Sequence, residues 1–314
     1  MDNLIFSLNA TMPVFLMMVL GYILKKLNWM DETFASKINS FVFHVPLPVL
    51  VFRDLAMVDF VEVWDTKFVV FCFLATLASI LIATGISALW KDKTIRGEFV
   101  QASYRSSAAI LGIAFIQNIY GNAGMGPLMV VASVPLYNVA AVIILTLLGK
   151  EYKKLDKALV IKTIKGILTN PIIIGILAGF LWSLLRIPMP YIVEKTVTNV
   201  ANIATPLGLM AMGAAFDWEK AFAKMKPALT ATITKLMGFV MLFLPLAIRM
   251  GFREEKLVAL LVMLGSATTI SCYVMAKNMG HEGTLTSSVV MLTTLFCAFT
   301  LTGWLFVMKI FGLI

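Results

Sequence analysis

Two polar stretches interrupt apolar segments of the chain that are long enough to cross a membrane. The first covers residues 103–124 and begins with the letters SYRSSAA; the second covers residues 265–283 and begins with GSATTIS. Lipid supplies no hydrogen-bond partner, so such stretches are stable only against protein or beside a water-filled cavity. Two polar interruptions at matching places in two halves of a chain are typical of a transporter's binding site.

A helix that breaks inside a membrane exposes free N–H groups and a positive half-helix end, and both attract anions. Serine and threonine hydroxyls add groups that donate and accept hydrogen bonds. The predicted substrate contacts are the residues of the two breaks and one asparagine of the next span, namely Arg105, Ser106, Ser107, Ala108, Asn138, Ser266, Ala267, Thr268, Thr269 and Ser271. The alternative is that the hydroxyls bond only to neighbouring carbonyls or allow helices to pack closely.

Three side chains have two interpretations each. Arg105 and Lys235 lie deep enough to line a cytoplasmic vestibule that draws in an anion, yet both are long enough to reach the lipid headgroups instead. His44 precedes Pro46 in the middle of a predicted span and is a candidate for carrying a coupled proton, because histidine titrates near neutrality. A hydrogen-bonded histidine that only packs against its neighbours is the alternative.

The acidic residues are expected at span ends or in loops, where they contact water. Proton and sodium carriers commonly use a carboxylate inside the membrane, so ion coupling lacks support from the sequence. Backbone carbonyls alone can bind sodium, and a sodium- or proton-coupled symporter therefore stays open as an alternative. The three cysteines, Cys72, Cys272 and Cys297, show no ligand spacing and are interpreted as small core residues, with no metal or disulfide implied.

The composition is that of a protein that crosses the membrane many times. The 314 residues are 60% hydrophobic and 14% charged, with a mean hydropathy of +0.91. The formal net charge of +9 comes from lysines and arginines in short loops, which fits the positive-inside rule better than nucleic-acid binding. Ten spans are predicted, over residues 4–24, 34–55, 67–89, 98–120, 126–148, 167–185, 191–215, 227–248, 255–278 and 284–311.

The basic residues predict the orientation of these spans. The most basic loop, residues 151–165, is assigned to the cytoplasm together with the loops around Lys25, Lys93 and Lys224, which leaves both termini outside. The first apolar run has no basic residue before it and no cleavage site after it, so we expect it to be a retained span. Residues 1–150 and 166–314 then form two units of five spans each.

These two units read as an inverted repeat. At an offset of 158 the matched pairs are Pro13 and Pro171, Gly21 and Gly179, Pro48 and Pro206, and Asp59 and Asp217. At an offset of 159, Ser107-Ala108 matches Ser266-Ala267 within the polar stretches. Because five is an odd number, the second unit enters the membrane in the opposite sense, which makes the repeat inverted.

Two motifs in the polar spans carry a family resemblance. They are Gly112-Ile113-Ala114 followed by Tyr120-Gly121, and Val274-Met275-Ala276-Lys277. With these residues the chain resembles the auxin efflux carrier family, which includes the plant PIN-FORMED exporters and many bacterial transporters. Family members usually carry proline and asparagine at the first break and proline at the second, whereas this chain has Ser106, Ser107 and Ala267 there, and Ala114 at a further proline position.

The resemblance implies an all-α crossover fold, of the kind shared by bile-acid symporters and NhaA, in which spans four and nine unwind and cross. It also implies a scaffold of spans one, two, six and seven, and a mobile transport domain of spans three to five and eight to ten. A homodimer through spans two and seven is a further implication.

The functional expectation is a secondary transporter in the bacterial inner membrane that moves a small organic anion by elevator-type alternating access, with export the favoured direction. An enzyme is not expected, because membrane-embedded catalysis needs an ordered constellation of histidine, carboxylate or metal that the sequence lacks. No cofactor and no nucleic-acid partner are expected. A receptor that uses the same pocket without transport is a further alternative.

Overall fold

The computed structural model describes residues 2–57, 64–122, 124–148 and 157–314. Asp59 of the repeat and residues 149–156, which include the first part of the predicted basic loop, lie outside these ranges. In the first half the helices are α1 (Asp2–Lys26), α2 (Glu32–His44), α3 (Pro46–Ala56), α4 (Thr66–Ser87), α5 (Arg96–Tyr104), α6 (Ile113–Tyr120) and α7 (Gly126–Leu147).

In the second half the helices are α8 (Lys157–Leu168), α9 (Pro171–Leu184), α10 (Tyr191–Asn202), α11 (Ala204–Ala214), α12 (Trp218–Ala223), α13 (Met225–Ile233), α14 (Phe239–Arg249), α15 (Glu254–Gly265), α16 (Ser271–Asn278) and α17 (Thr284–Ile310). A 3-10 turn, Lys93–Ile95, precedes α5, and two π-helical turns, Ala108–Gly112 and Thr234–Gly238, precede α6 and α14.

Each of the ten predicted spans contains one or two helices in the residues that the structure describes. Within the described ranges, five stretches are long and apolar enough to cross a membrane by length and composition, namely residues 32–56, 66–87, 126–147, 225–249 and 284–310. The fourth and ninth predicted spans are each divided into two short helices, α5 with α6 and α15 with α16. The predicted all-helical architecture with two broken spans is therefore confirmed.

Glycines bring two pairs of helices into backbone contact. A methyl group added at Gly21 of α1 would lie 2.1 Å from the carbonyl oxygen of Met210 in α11. A methyl group at Gly179 of α9 would lie 2.6 Å from the carbonyl oxygen of Phe52 in α3. Gly21 and Gly179 are 158 positions apart in the sequence, and so are Phe52 and Met210. The offset read from the sequence therefore relates two equivalent helix contacts.

The two broken spans cross and pair with each other at their breaks. Ser106 and Thr268 form an isolated antiparallel β bridge, and the Ser107 N–H donates to the Ala267 carbonyl over 2.9 Å. The Thr268 hydroxyl donates to the Ala102 carbonyl at 2.8 Å, and the Thr268 N–H donates to a hydroxyl of α17. Backbone and hydroxyl groups thus supply the partners that the interrupted helices lose, so the spans break without the prolines usual in the family.

A buried carboxylate ties the fourth span to the last one. Glu98, near the beginning of α5, is 1% exposed. Its carboxylate accepts hydrogen bonds from the Gly283 N–H at 2.9 Å and from both the N–H and the hydroxyl of Thr286 at 3.0 Å. These donors surround the N-terminus of α17, where a negative charge stabilises the helix. Glu98 lies near a span end as expected, but it contacts protein and not water.

Candidate functional site

A cavity lies where the two broken spans cross, with an empty volume of about 570 Å³, part of it open to solvent. One wall comes from α3, α9 and α11 and consists of Leu47, Leu50, Val51, Asp54, Ile172 and Thr205. The other wall comes from the breaks and from α7, and consists of Arg105, Ser106, Ser107, Ala108, Ala109, Val134, Tyr137, Asn138, Thr269, Ile270 and Ser271. The cavity therefore separates two groups of helices and has polar groups concentrated on one side.

Arg105 is the cationic group of this cavity. It follows the last residue of α5 and is 2% exposed, so its side chain does not reach the lipid headgroups. One terminal nitrogen donates to the Asn138 amide oxygen and to the Ser271 hydroxyl, each at 2.8 Å, and the other contacts the Met275 sulfur at 2.9 Å. Its Nε has no partner, and no carboxylate of the described residues lies within 4.0 Å. The guanidinium is thus oriented by neutral groups and keeps its charge uncompensated.

Lys235 places a second cation behind the crossing. It lies in the π-helical turn before α14 and is completely buried, which excludes the headgroup alternative. Its ammonium donates to the Ser106 hydroxyl at 2.7 Å and to the Tyr104 carbonyl at 3.4 Å. The Ser106 hydroxyl in turn donates to the Met263 carbonyl. Within the described chain the ammonium has no carboxylate partner, so oxygen atoms of uncharged groups hold it.

Seven of the ten predicted contact residues line the cavity, namely Arg105, Ser106, Ser107, Ala108, Asn138, Thr269 and Ser271. The other three, Ser266, Ala267 and Thr268, are absent from the lining and are at most 3% exposed. The described contacts of Thr268 and Ala267 hold the crossing together, and the Ser266 hydroxyl has no partner. Side chains of consecutive extended residues point to opposite sides, which places Thr269 in the cavity and Thr268 behind it.

Sequence comparison adds to this geometry. Residues 6–305 match the family described as "Membrane transport protein". The chain belongs to this family. A relative from Rhizobium meliloti (strain 1021), named "Putative malonate transporter", is 23% identical over 323 residues, which cover 96% of this chain and 95% of the relative. Together they confirm the resemblance to the auxin efflux carriers.

Among solved structures, a sodium proton antiporter from Methanocaldococcus jannaschii superimposes with a TM-score of 0.64 at 13% identity, covering 94% of this chain and 96% of its own. At that identity the similarity shows the fold alone. It agrees with the NhaA-like crossover architecture that the family resemblance implied for this multi-pass membrane transporter.

His44 lies away from the cavity of this transporter. It ends α2, its ring is exposed, and Nδ1 lies 2.8 Å from the Ser40 carbonyl. A second histidine, His281, is 5% exposed in the turn before α17, and its Nε2 lies 2.9 Å from the Leu145 carbonyl. Neither histidine lines the cavity.

Sequence reasoning missed Asp54. Its position one residue before the predicted end of span two suggested contact with water, whereas the structure places it on the cavity wall. A signal was present, because Leu47, Leu50, Val51 and Asp54 have the spacing of a single helix face.

The described residues contain no group of three or more His, Cys, Asp or Glu side chains that could hold a metal ion. Cys72, Cys272 and Cys297 are buried and unpaired. Their environment is that of small core residues, as the sequence suggested.

Proposed function

We propose that this membrane transporter is a secondary transporter of a small organic anion, which binds at the crossing of the two broken spans. The observation that carries the proposal is Arg105. It is buried on the cavity wall, and three of its five N–H donors are used by Asn138, Ser271 and Met275. One N–H of the terminal nitrogens and the charge are left for a ligand, while Nε is buried without a partner among the described residues.

Physical chemistry favours an anionic ligand at this guanidinium. A buried charge without a counter-charge costs free energy, and an anion that enters the cavity offsets that cost. A carboxylate also matches the planar donor geometry of arginine. The related protein named as a malonate transporter is consistent with a small carboxylate as the substrate class.

The arrangement of the cavity supports alternating access of the elevator type. Arg105 directly follows α5, Asn138 lies in α7 and Ser271 begins α16, and all three helices fall in the proposed transport domain. The opposite wall belongs to α3, α9 and α11 of the proposed scaffold, where glycine contacts bring backbones together. A site between a tightly packed group and a second group of helices is what such a mechanism requires. A homodimer through spans two and seven would hold the scaffold fixed.

Ion coupling is not needed in this proposal. The Lys235 side-chain nitrogen donates to the oxygen atoms of Tyr104 and Ser106, so these oxygen atoms already have a partner from the protein. In a bacterial inner membrane with both termini outside, an interior potential of about −100 mV would drive each monovalent anion outward with roughly 2.3 kcal/mol. We therefore favour export without a coupling ion.

Flux into proteoliposomes tests the proposal directly. Purified protein would be supplied with propionate, 3-hydroxypropionate, malonate and the neutral compound propionamide, with sodium present or replaced by choline. We expect saturable carboxylate flux that does not require sodium. Arg105→Gln should reduce it about 30-fold or more, because losing a buried charge partner costs at least about 2 kcal/mol.

The matched control is Arg249→Gln, which removes one arginine charge from the exposed end of α14. It should leave flux unchanged. No flux of any carboxylate by folded protein would overturn the proposal, and a strict sodium requirement would favour the symporter alternative.

A further inference from the structure

We infer that Asp54 determines specificity, and that the cavity selects monoanions that carry a hydrogen-bond donor at the end remote from the carboxylate. This inference rests on the proposed function, because it assigns the anionic end of the ligand to Arg105. It adds a second, oppositely charged recognition point on the facing wall, formed by α3.

The position of Asp54 comes from the periodicity of α3. Leu47, Leu50, Val51 and Asp54 line the cavity as one helix face. The first three are apolar and buried, whereas the fourth is a carboxylate whose side chain is 14% exposed. At about 1.5 Å per residue, Asp54 lies about 10 Å along the helix from Leu47. An apolar wall therefore ends in a single acceptor group.

Neighbouring side chains hold this carboxylate through one oxygen only. Arg53 donates to Asp54 Oδ1 from its Nε at 3.2 Å and from a terminal nitrogen at 2.8 Å. The other terminal nitrogen of Arg53 donates to the Asn202 amide oxygen at 2.9 Å, where α10 ends. Asp54 Oδ2 has no hydrogen-bond partner within the described ranges. The arginine thus fixes and partly compensates the carboxylate while one oxygen remains available.

An available carboxylate oxygen discriminates between ligand ends. An ionised carboxylate only accepts hydrogen bonds, so a hydroxyl, an ammonium or a protonated carboxyl group on the ligand is favoured there. A second ionised carboxylate meets a like charge, which is unfavourable. A methyl group gains no hydrogen bond. With Arg105 at the crossing and Asp54 on the facing wall, the preferred ligand is anionic at one end and a donor at the other.

Three carboxylates with the same three-carbon skeleton separate these cases, namely propionate, 3-hydroxypropionate and malonate in its dianionic form. We would measure their affinities by isothermal titration calorimetry at neutral pH. Wild-type protein should bind 3-hydroxypropionate about ten-fold or more tightly than propionate, which corresponds to one hydrogen bond to a charged group. Dianionic malonate should bind more weakly than 3-hydroxypropionate.

Asp54→Asn should lower the preference for 3-hydroxypropionate over propionate about ten-fold and should raise the affinity for dianionic malonate. The gain for malonate cannot result from misfolding. Glu194→Gln is the matched control, because it removes one carboxylate from an exposed position in the first turn of α10, and it should change neither ratio. If Asp54→Asn does not fold, the charge-balanced variant Arg53→Gln/Asp54→Asn is measured in its place.

The outcomes separate this inference from the proposed function. If both ratios are unchanged in Asp54→Asn while Arg105→Gln abolishes binding of all three compounds, the role of Asp54 is wrong and the anion site stands. If wild-type protein binds none of the three, the anion site itself is wrong and the inference fails with it.

Discussion

The Lys235 ammonium donates a 2.7 Å hydrogen bond to the Ser106 hydroxyl, so a side chain of the eighth span holds the break of the fourth. Lys235 has no exposed surface, and the structure shows no carboxylate beside it in the described residues. A charge kept inside a membrane protein at this cost indicates a function beyond packing. The crossing therefore has a buried basic side chain on each of its sides, Arg105 on one and Lys235 on the other.

Replacing Lys235 by methionine should separate function from stability. Methionine has a similar length and no charge, so the buried ammonium no longer has to be desolvated and the free energy of unfolding should be unchanged or higher. Anion affinity should fall about ten-fold, since a unit charge near the ligand contributes on the order of 1–3 kcal/mol at an effective dielectric constant of about 20.

Thermal unfolding and calorimetric titration with 3-hydroxypropionate measure the two effects of Lys235→Met. The control is Lys309→Met, at the exposed end of α17. A variant that is less stable but binds with wild-type affinity would show that Lys235 is only a structural residue.

Ser107 and Thr268 should behave differently, although the sequence predicted that both contact the substrate. The Ser107 hydroxyl faces the cavity and has no protein partner in the described part of the chain. Ser107→Ala should therefore weaken anion binding about ten-fold, by one hydrogen bond to a charged group, without affecting stability. Thr268→Val leaves the buried Ala102 carbonyl without its donor and should lower the free energy of unfolding by about 1–3 kcal/mol.

Affinity and unfolding measurements on both variants, in the same detergent, test this assignment. If Ser107→Ala and Thr268→Val lose the same affinity and both keep wild-type stability, Thr268 contacts the substrate and this assignment is wrong.

The spans and the two breaks were predictable because each follows from local composition, and the repeat was predictable because matched residues recur at offsets of 158 and 159. A long apolar run needs a helix, and a polar interruption of that run needs a protein partner. The direction of individual side chains was not predictable. Lys235 reaches Ser106 from a π-helical turn that no local pattern marks, and Thr268 lies behind the crossing because of the β bridge with Ser106. Asp54 was missed because the cavity that it lines is completed by residues far away in sequence, such as Arg105 and Ile172.

Glu98 should contribute strongly to stability and little to affinity. Its carboxylate accepts three hydrogen bonds at the N-terminus of α17. Glu98→Gln keeps the shape, but it replaces one acceptor oxygen by a donor and removes the charge, so the free energy of unfolding should fall by about 1–3 kcal/mol. Chemical denaturation would measure this loss, with the exposed Glu32→Gln as control. Unchanged stability would mean that the helix end does not depend on this carboxylate.

Transport should be electrogenic and independent of His44. The ligand is an anion, and in the proposed cycle the Asp54 carboxylate on the cavity wall stays ionised and releases no compensating proton. Currents recorded on a solid-supported membrane should therefore report net movement of negative charge. In a cell, a membrane potential of about 100 mV would contribute roughly 2.3 kcal/mol for each charge that is moved. His44→Gln should leave the pH profile of the current unchanged, because this side chain is exposed and bonded to the Ser40 carbonyl. Electroneutral flux would show that protons are coupled.

The repeat-related glycines give the sharpest test of the fold. Gly21→Ala places a methyl group 2.1 Å from a backbone oxygen of α11, and Gly179→Ala places one 2.6 Å from a backbone oxygen of α3. A backbone oxygen cannot rotate away as a side chain can, so the helices must separate. Each substitution should lower the free energy of unfolding by about 1–3 kcal/mol or more.

Gly303→Ala is the control for both variants, since a methyl group there meets no atom within 4 Å. It should stabilise α17 by up to about 1 kcal/mol, because alanine is the better helix former. The two contacts are counterparts separated by 158 positions, so Gly21→Ala and Gly179→Ala should have similar costs, and their costs should add because the contacts share no residue. A large effect at one glycine with none at the other would contradict the equivalence of the two halves.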